Sequence, residues 1–386
     1  MTKVIAASCE KIHKLCASLS DLSRGRVAGA ITDSKHKTSD DGLIRIMEVC
    51  GTHTMAIARN GLRSLLPSNL KLISGPGCPV CVTDQSYMDQ AVYLARGGGF
   101  DGPGKFEPPL LATYGDMVRV PGRHGSLAEA RAAGAAVEVV YSADQAVELA
   151  ARQPQRQVVF LGVGFETTAP GTALAVKRAK AEGIRNFSVL TAHKLILPAM
   201  RALLSAGDVP VDGFLCPGHV SVILGYGAYD EIARSYGRPC VVTGFDPRQI
   251  LAGIEAILEQ LLEGRPRACT VYPSVSKEGN RAALQLLEEV FLPADTPWRA
   301  LGVIPGSGLT LRGELAEFDT LTRLEVPKTD SYEMPGCRCG DVISGRCSPF
   351  DCGLFRAGRC TPRDPIGPCM VSSEGACAAA YKYERR

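Results

Sequence analysis

No stretch of the 386 residues approaches the roughly 20 consecutive apolar positions that span a bilayer. The opening MTKVIAASCEKIHKL also lacks the apolar centre and cleavage site of a secretory leader, so a cytoplasmic protein is expected. Neither sign of charge prevails: 43 Lys and Arg stand against 40 Asp and Glu. Such a chain has no strong field with which to recruit nucleic acid or an anionic membrane, and its partners are expected to be proteins or small molecules. What is present is length and 45% hydrophobic content, enough for two or three domains.

Cysteine is the residue in excess. Fifteen thiols in a chain without an export signal do not suit a disulfide scaffold, because the cytosol keeps ordinary thiols reduced. Seven fall between Cys337 and Cys377, against eight in everything before, which marks a separate C-terminal module.

From about residue 43 to 265, short apolar runs alternate with amphipathic ones, the pattern of parallel α/β sheets. LIRIMEV, LKLISGPG, LLATYGD and AVEVVYS form a first set of strands; QVVFLGVG, FSVLTAHK, GFLCPGH and PCVVTGFD form a second. The predicted fold class is α/β, with two similar parallel-sheet domains and a loop-rich C-terminal iron-sulfur domain. Residues 1–42 read as a helix and a polar loop (ITDSKHKTSDDG) packing on the C-terminal domain. Residues 43–152 form the first α/β domain and 153–265 the second, divided at RQPQRQ. Residues 266–386 form the cluster domain, where a metal cofactor takes the place of a missing apolar core.

Ligands of open parallel sheets bind at the carboxyl ends of strands. The polar residues there are Cys50, His53, Cys78, Cys81 and Asp116 in the first set, then Glu166, His193, His219 and Asp246 in the second. If the sheets face each other, these converge on one cleft. GPGCPVC places a CxxC pair between a strand and a helix start, the setting of a redox dithiol. The competing reading, half a zinc site, lacks a second CxxC or HxxxH nearby. EVCGTHTMA sets Cys50 three residues from His53 at a strand-to-helix turn, close enough to serve one metal or one covalent reaction, although a lone strand-end Cys is more often packing. Glu166 and His219 sit in turns rich in Gly and Pro, either as proton carriers or as capping groups. His13, His36 and His124 lie in polar segments and are most simply solvated.

In the tail, four widely spaced cysteines, Cys337, Cys352, Cys360 and Cys377, suit a [4Fe-4S] cube. Structural zinc normally uses two tight CxxC knuckles, which this segment lacks. Cys339 and Cys369 remain as a nearby redox pair or as alternative ligands.

Taken together, EVCGTH, GPGCPVC, GFETTAP, CPGHVS and the terminal CxCG…CTP…GPCMVSSEGAC segment resemble the HypD family of hydrogenase maturation factors, in that family's order and over nearly the whole chain. The resemblance implies a scaffold for assembling the Fe(CN)2CO group of [NiFe]-hydrogenases, working with HypC and receiving cyanide from HypE. It implies that Cys50 holds the assembly iron together with a HypC cysteine, and that Cys78 and Cys81 form the adjacent redox dithiol. Cys337, Cys352, Cys360 and Cys377 become the cluster ligands. A cluster-dependent thiol-disulfide reductase is the alternative, and it leaves Cys50 and His53 without a task.

Overall fold

The computed structural model describes residues 3–23, 41–100 and 104–385. Positions 31–40 of the expected polar loop, His36 among them, lie outside the described residues. The strands in chain order are β1 (Ile44–Glu48), β2 (Leu70–Ser74), β3 (Leu110–Thr113), β4 (Val137–Val139), β5 (Val158–Gly164), β6 (Phe187–His193), β7 (Gly213–Pro217), β8 (Cys240–Thr243), β9 (Ala268–Thr270), β10 (Phe291–Trp298) and β11 (Gly302–Leu311). The first nine form two parallel sheets, ordered β2-β1-β7-β8-β9 and β4-β3-β5-β6; the last two form an antiparallel hairpin. All seven residues of β5 are buried, as in a parallel strand covered on both faces by helices.

The two sheets exist, but they do not follow one another along the chain. β3 pairs with both β4 and β5, so the expected division at 152/153 passes through a single sheet. The first sheet takes β1 and β2 from early in the chain and β7, β8 and β9 from late in it. RQPQRQ leads from the helix after β4 into β5, two strands of one sheet with β3 between them, and Asn186 Nδ2 donates to the carbonyls of Gln153 (2.9 Å) and Arg156 (2.8 Å) there. Polarity marked a surface crossing and not a domain boundary.

Two other boundaries move for similar reasons. The helix Lys3–Ser23 packs on the helix Pro247–Glu263, where Ile12, Cys16 and Leu19 share a core with Ile250, Ile254 and Ile257. Lys11 Nζ lies 3.1 Å from Glu255 and 2.7 Å from Glu259 at the edge of that contact. It therefore covers the first sheet and not the C-terminal module. Past residue 265, β9 is still the fifth strand of that sheet. The helix Arg281–Val290 and the hairpin cover the second sheet, with Leu287, Phe291 and Leu311 in the core built around Phe160 and Phe187. Only the short helices and loops from about residue 335 onward form the cysteine module.

Candidate functional site

Each sheet is doubly wound and has one place where the chain reverses direction across it. In the first sheet it lies between β1 and β7, in the second between β3 and β5. Crevices open at such switch points, outside the carboxyl ends of the strands. Here the two crevices meet in one cavity of about 670 Å3, lined from the first sheet by Cys50, Gly77 and His219 and from the second by Asp116 and Phe165. Ser372, Ser373 and Glu374 of the cysteine module close one side.

Cys50 precedes the helix Gly51–Arg59 in extended conformation, at the turn out of β1. Two glycines let other backbone come close to it. A Cβ on Gly77 would lie 2.1 Å from the Cys50 nitrogen, and one on Gly51 would lie 2.7 Å from the Glu374 carbonyl oxygen. Thr52 Oγ1 donates to Glu374 Oε1 at 2.6 Å, holding that carboxylate at the site. Burial, then the Glu374 charge, pushes the Cys50 thiol up to about 11.

Cys78 and Cys81 form a disulfide. Both are buried, although a reactive dithiol at a helix start would be expected to be exposed, while Pro79 and Val80 between them face the cavity. The helix Pro79–Val82 is a single turn, too short for a helix dipole to act on the sulfurs, so individual bonds matter there. The Cys81 N–H donates to Cys78 Sγ at 3.2 Å, and Ser372 Oγ lies 3.3 Å from the same sulfur. On the opposite side is Arg299, 4% exposed. Its guanidinium donates to the carbonyl oxygens of Cys81 (3.1 Å) and Thr83 (2.9 Å) and to Gln85 Oε1 (3.0 Å).

Of the other expected groups, Asp116 and His219 line the cavity, His219 exposed and with its ring centroid 4.2 Å from that of Phe245. His53 does not. Its Nε2 lies 3.0 Å from the Gly244 carbonyl and 2.8 Å from Thr243 Oγ1, and burial lowers it to about 4, so it is a neutral core group. Glu166 lies behind the wall formed by Phe165 and Thr167. Its Oε1 accepts the Ile196 N–H at 2.9 Å, its Oε2 is unpartnered, and burial raises it to about 7. Side chains on a turn point to opposite sides, and sequence proximity to a strand end does not tell which. His193 likewise is buried against Thr172 (3.1 Å), and Asp246 caps the helix that follows it.

The residues without an assigned role from sequence are Asp116, Ser372, Glu374 and Arg299. Asp116 stands directly after a strand, and Ser372 and Glu374 lie between two module cysteines, so a signal existed for those three. Arg299 follows a strand of the hairpin, which the apolar pattern does not reveal.

In the module, Cys337, Cys339, Cys352, Cys360, Cys369 and Cys377 line one enclosed hollow, while Cys347 lies apart on another cleft. Cys339 interacts with Cys369, and Cys369 with Cys377. Burial pushes Cys337 up to about 12. Among the described residues, no three His, Cys, Asp or Glu side chains converge as ligands of one ion do.

The family model for HypD, described as the hydrogenase formation hypA family, matches residues 26–384. The chain belongs to the HypD family. Similar proteins include hydrogenase maturation factor HypD of Cupriavidus necator, 43% identical over 348 residues covering 88% of this chain and 89% of that one. The protein of the same name from Escherichia coli is 42% identical over 89% and 90%, and that of Azotobacter vinelandii 44% over 89% and 90%. In this HypD-family chain, no helix among the described residues is long and apolar enough to cross a membrane.

Proposed function

We propose that this chain is a hydrogenase maturation factor that serves as scaffold and redox protein for building the Fe(CN)2CO group of [NiFe]-hydrogenases, with HypC as co-ligand and HypE as cyanide donor. The observation that carries the reading is the placement of Cys50 in a cavity at the meeting of two switch points, beside a CxxC disulfide and with a six-cysteine hollow in the same covering module. The iron with its diatomic ligands is the cargo. A thiolate is a soft donor suited to it. Cys50, held protonated by burial, would give up its proton only as a metal takes its place, which ties loading to metal capture. His219 and Glu374 line the same cavity and can accept that proton.

The hollow fits a [4Fe-4S] cluster on three counts. Six thiols line one hollow, more than the four that a [4Fe-4S] cluster takes at one thiolate per iron. A Cβ on Gly367 would lie 2.6 Å from Cys337 Sγ, so glycine keeps that space clear. The Ile366 N–H donates to Cys360 Sγ at 3.3 Å, the kind of bond that stabilises a ligating sulfur. Cys337, Cys352, Cys360 and Cys377 would hold the cluster, with Cys339 and Cys369 as a redox relay or alternates. Such a cluster supplies electrons one at a time. Cys78 and Cys81 collect two as a dithiol, the number that cleaving cyanide from a thiocyanate-type donor requires.

The test is infrared spectroscopy of the anaerobic protein co-purified with HypC. CN and CO bands are expected, and Cys50→Ala should lose them while keeping the cluster absorbance. Bands that survive in Cys50→Ala overturn the assignment. A wild-type complex without bands that still reduces disulfides favours the reductase reading.

A further inference from the structure

One connection across the cavity wall has no place in the function above. Ser372 Oγ lies 3.3 Å from Cys78 Sγ and 3.2 Å from Asp116 Oδ2, and it accepts the Glu374 N–H at 3.1 Å. Asp116 Oδ2 also accepts the N–H and the hydroxyl of Ser373, each at 2.9 Å, so the carboxylate is fixed against the segment that carries Ser372. A hydroxyl has one hydrogen to give and two lone pairs to receive with. In the dithiol state, the Glu374 N–H and the Cys78 S–H fill both acceptor positions. The one hydrogen of Ser372 then points at Asp116. The orientation of the chain thiol, hydroxyl, carboxylate is dictated by the count of donors and acceptors.

We propose that Ser372 and Asp116 form a proton relay for Cys78. Ser372 touches the reacting sulfur, and Asp116, which opens onto the cavity, takes the proton through it and hands it to the leaving group. The inference rests on the reading of Cys78 and Cys81 as a redox dithiol. Cys78 is buried, so near neutral pH, where hydroxide is scarce, its proton passes to a group that it hydrogen-bonds before the thiolate, the attacking species, forms. When Cys78 attacks a small disulfide, its proton moves to Ser372 Oγ while the Ser372 hydrogen moves to Asp116. The Cys78 thiolate forms a bond to one sulfur of that disulfide, and the other sulfur leaves as a thiolate that takes the proton from Asp116. Cys81 then attacks Cys78 Sγ, forming the Cys78–Cys81 disulfide, and its own proton goes to the second departing thiolate. In sum, one dithiol and one small disulfide give one protein disulfide and two small thiols. In the reverse direction the same relay reprotonates Cys78.

The test uses the full-length protein, reduced, then mixed with bis(2-hydroxyethyl) disulfide between pH 6 and 10. Acid quenching, alkylation and mass spectrometry follow the peptide that holds Cys78 and Cys81. Other titratable groups lining the cavity are Cys50, His219, Glu374 and the phenols of Tyr114 and Tyr141, and the Arg299 cation lies beneath Cys81, so the comparison is between variants at each pH. Ser372→Ala and Asp116→Asn should slow oxidation about tenfold to a hundredfold at pH 7, at or below the low end of what a positioned acid-base group contributes. The deficit should close toward pH 10, where hydroxide makes the thiolate without help. Ser372→Thr, which keeps the hydroxyl, should restore the wild-type profile. Asp116→Asn retains an acceptor for the Ser373 N–H, so it reports on the relay if Ser372→Ala loses cluster absorbance or fold. A loss equal at every pH, or unchanged rates in both variants, overturns the relay alone. A wild-type pair that does not cycle at all overturns the dithiol reading and the relay with it.

Discussion

Arg299 provides the sharpest test of how the CxxC segment is held. Its guanidinium is buried, and its three partners are neutral oxygens at 3.1, 2.9 and 3.0 Å on Cys81, Thr83 and Gln85. Hydrogen bonds to a charged group contribute about 1.5–3 kcal/mol each, so three amount to roughly 4.5–9 kcal/mol gross. Burying the cation offsets several kcal/mol of this. Arg299→Met keeps the bulk and the backbone bond from residue 299 to the Val82 carbonyl (2.9 Å), but leaves three oxygens without their donor. The net local cost is about 3 kcal/mol. A chain with several cores does not unfold in one step, so a global midpoint is the wrong measurement. Hydrogen exchange of the peptide spanning residues 78–90 is the right one, because local opening is read there directly. At about 1.4 kcal/mol per tenfold, protection should fall by roughly two decades. Protection within a factor of five of wild type would show that the one-turn helix and its flanks are held by something else.

Three further outcomes follow from the same geometry. Gly77→Ala would put a methyl 2.1 Å from the Cys50 nitrogen and 2.4 Å from its Cα, at a cost near the upper end of the about 1–3 kcal/mol typical of overpacking; the infrared bands of the HypC complex should vanish while cluster absorbance stays. Cys352→Ala or Cys360→Ala should strip iron and acid-labile sulfide and raise proteolysis of residues beyond 335, whereas unchanged iron in both would place the ligands elsewhere. Glu166, raised to about 7 in the fold against 4.5 for a free carboxyl, makes stability fall as pH rises from about 4.5 to 7, by about 3 kcal/mol across that window. Glu166→Gln should flatten that part of the melting temperature profile; an identical fall in both proteins would assign it to another group, Glu48 being the next buried carboxyl raised to about 7.

The eight parallel strands from β1 to β8 were legible because each is a short apolar run ended by Gly, Pro or a polar residue. β9 was not, since Ala268–Thr270 is too short to show a period. Nor was the hairpin, where proline and exposed positions interrupt the alternation over β10. The order of the strands escaped for a deeper reason. Parallel strands carry no pairing mark in their own residues, so β7 beside β1 looks from sequence like any other buried run, and the interleaving of the two sheets is a property of long-range packing. The candidate site divided along the same line. Cys50, the CxxC pair and the cysteine tail announce themselves by residue type. Whether His53, Glu166 or His219 reaches the cavity depends on which side of a turn each faces, and only His219 does.

The interleaving explains why the site is where it is. A doubly wound sheet opens a crevice where the chain changes direction, and two sheets built as separate consecutive domains would place their crevices wherever a linker allowed. Here the second sheet is inserted between β2 and β7 of the first: β7 flanks the first crevice directly, and β2, beside β1, leads at once into Gly77, which lies against the Cys50 backbone. The chain must leave the first sheet and return to it close to Cys50. That brings Asp116, at the end of β3, within bonding distance of the segment that closes over Cys50, and Ser372 and Glu374 on that segment reach Cys78 and Thr52 respectively. The cysteine module thus touches both sheets at the one place where each is open, so a change at its cysteines has a short covalent path, from Cys369 to Ser372, into the wall of the cavity.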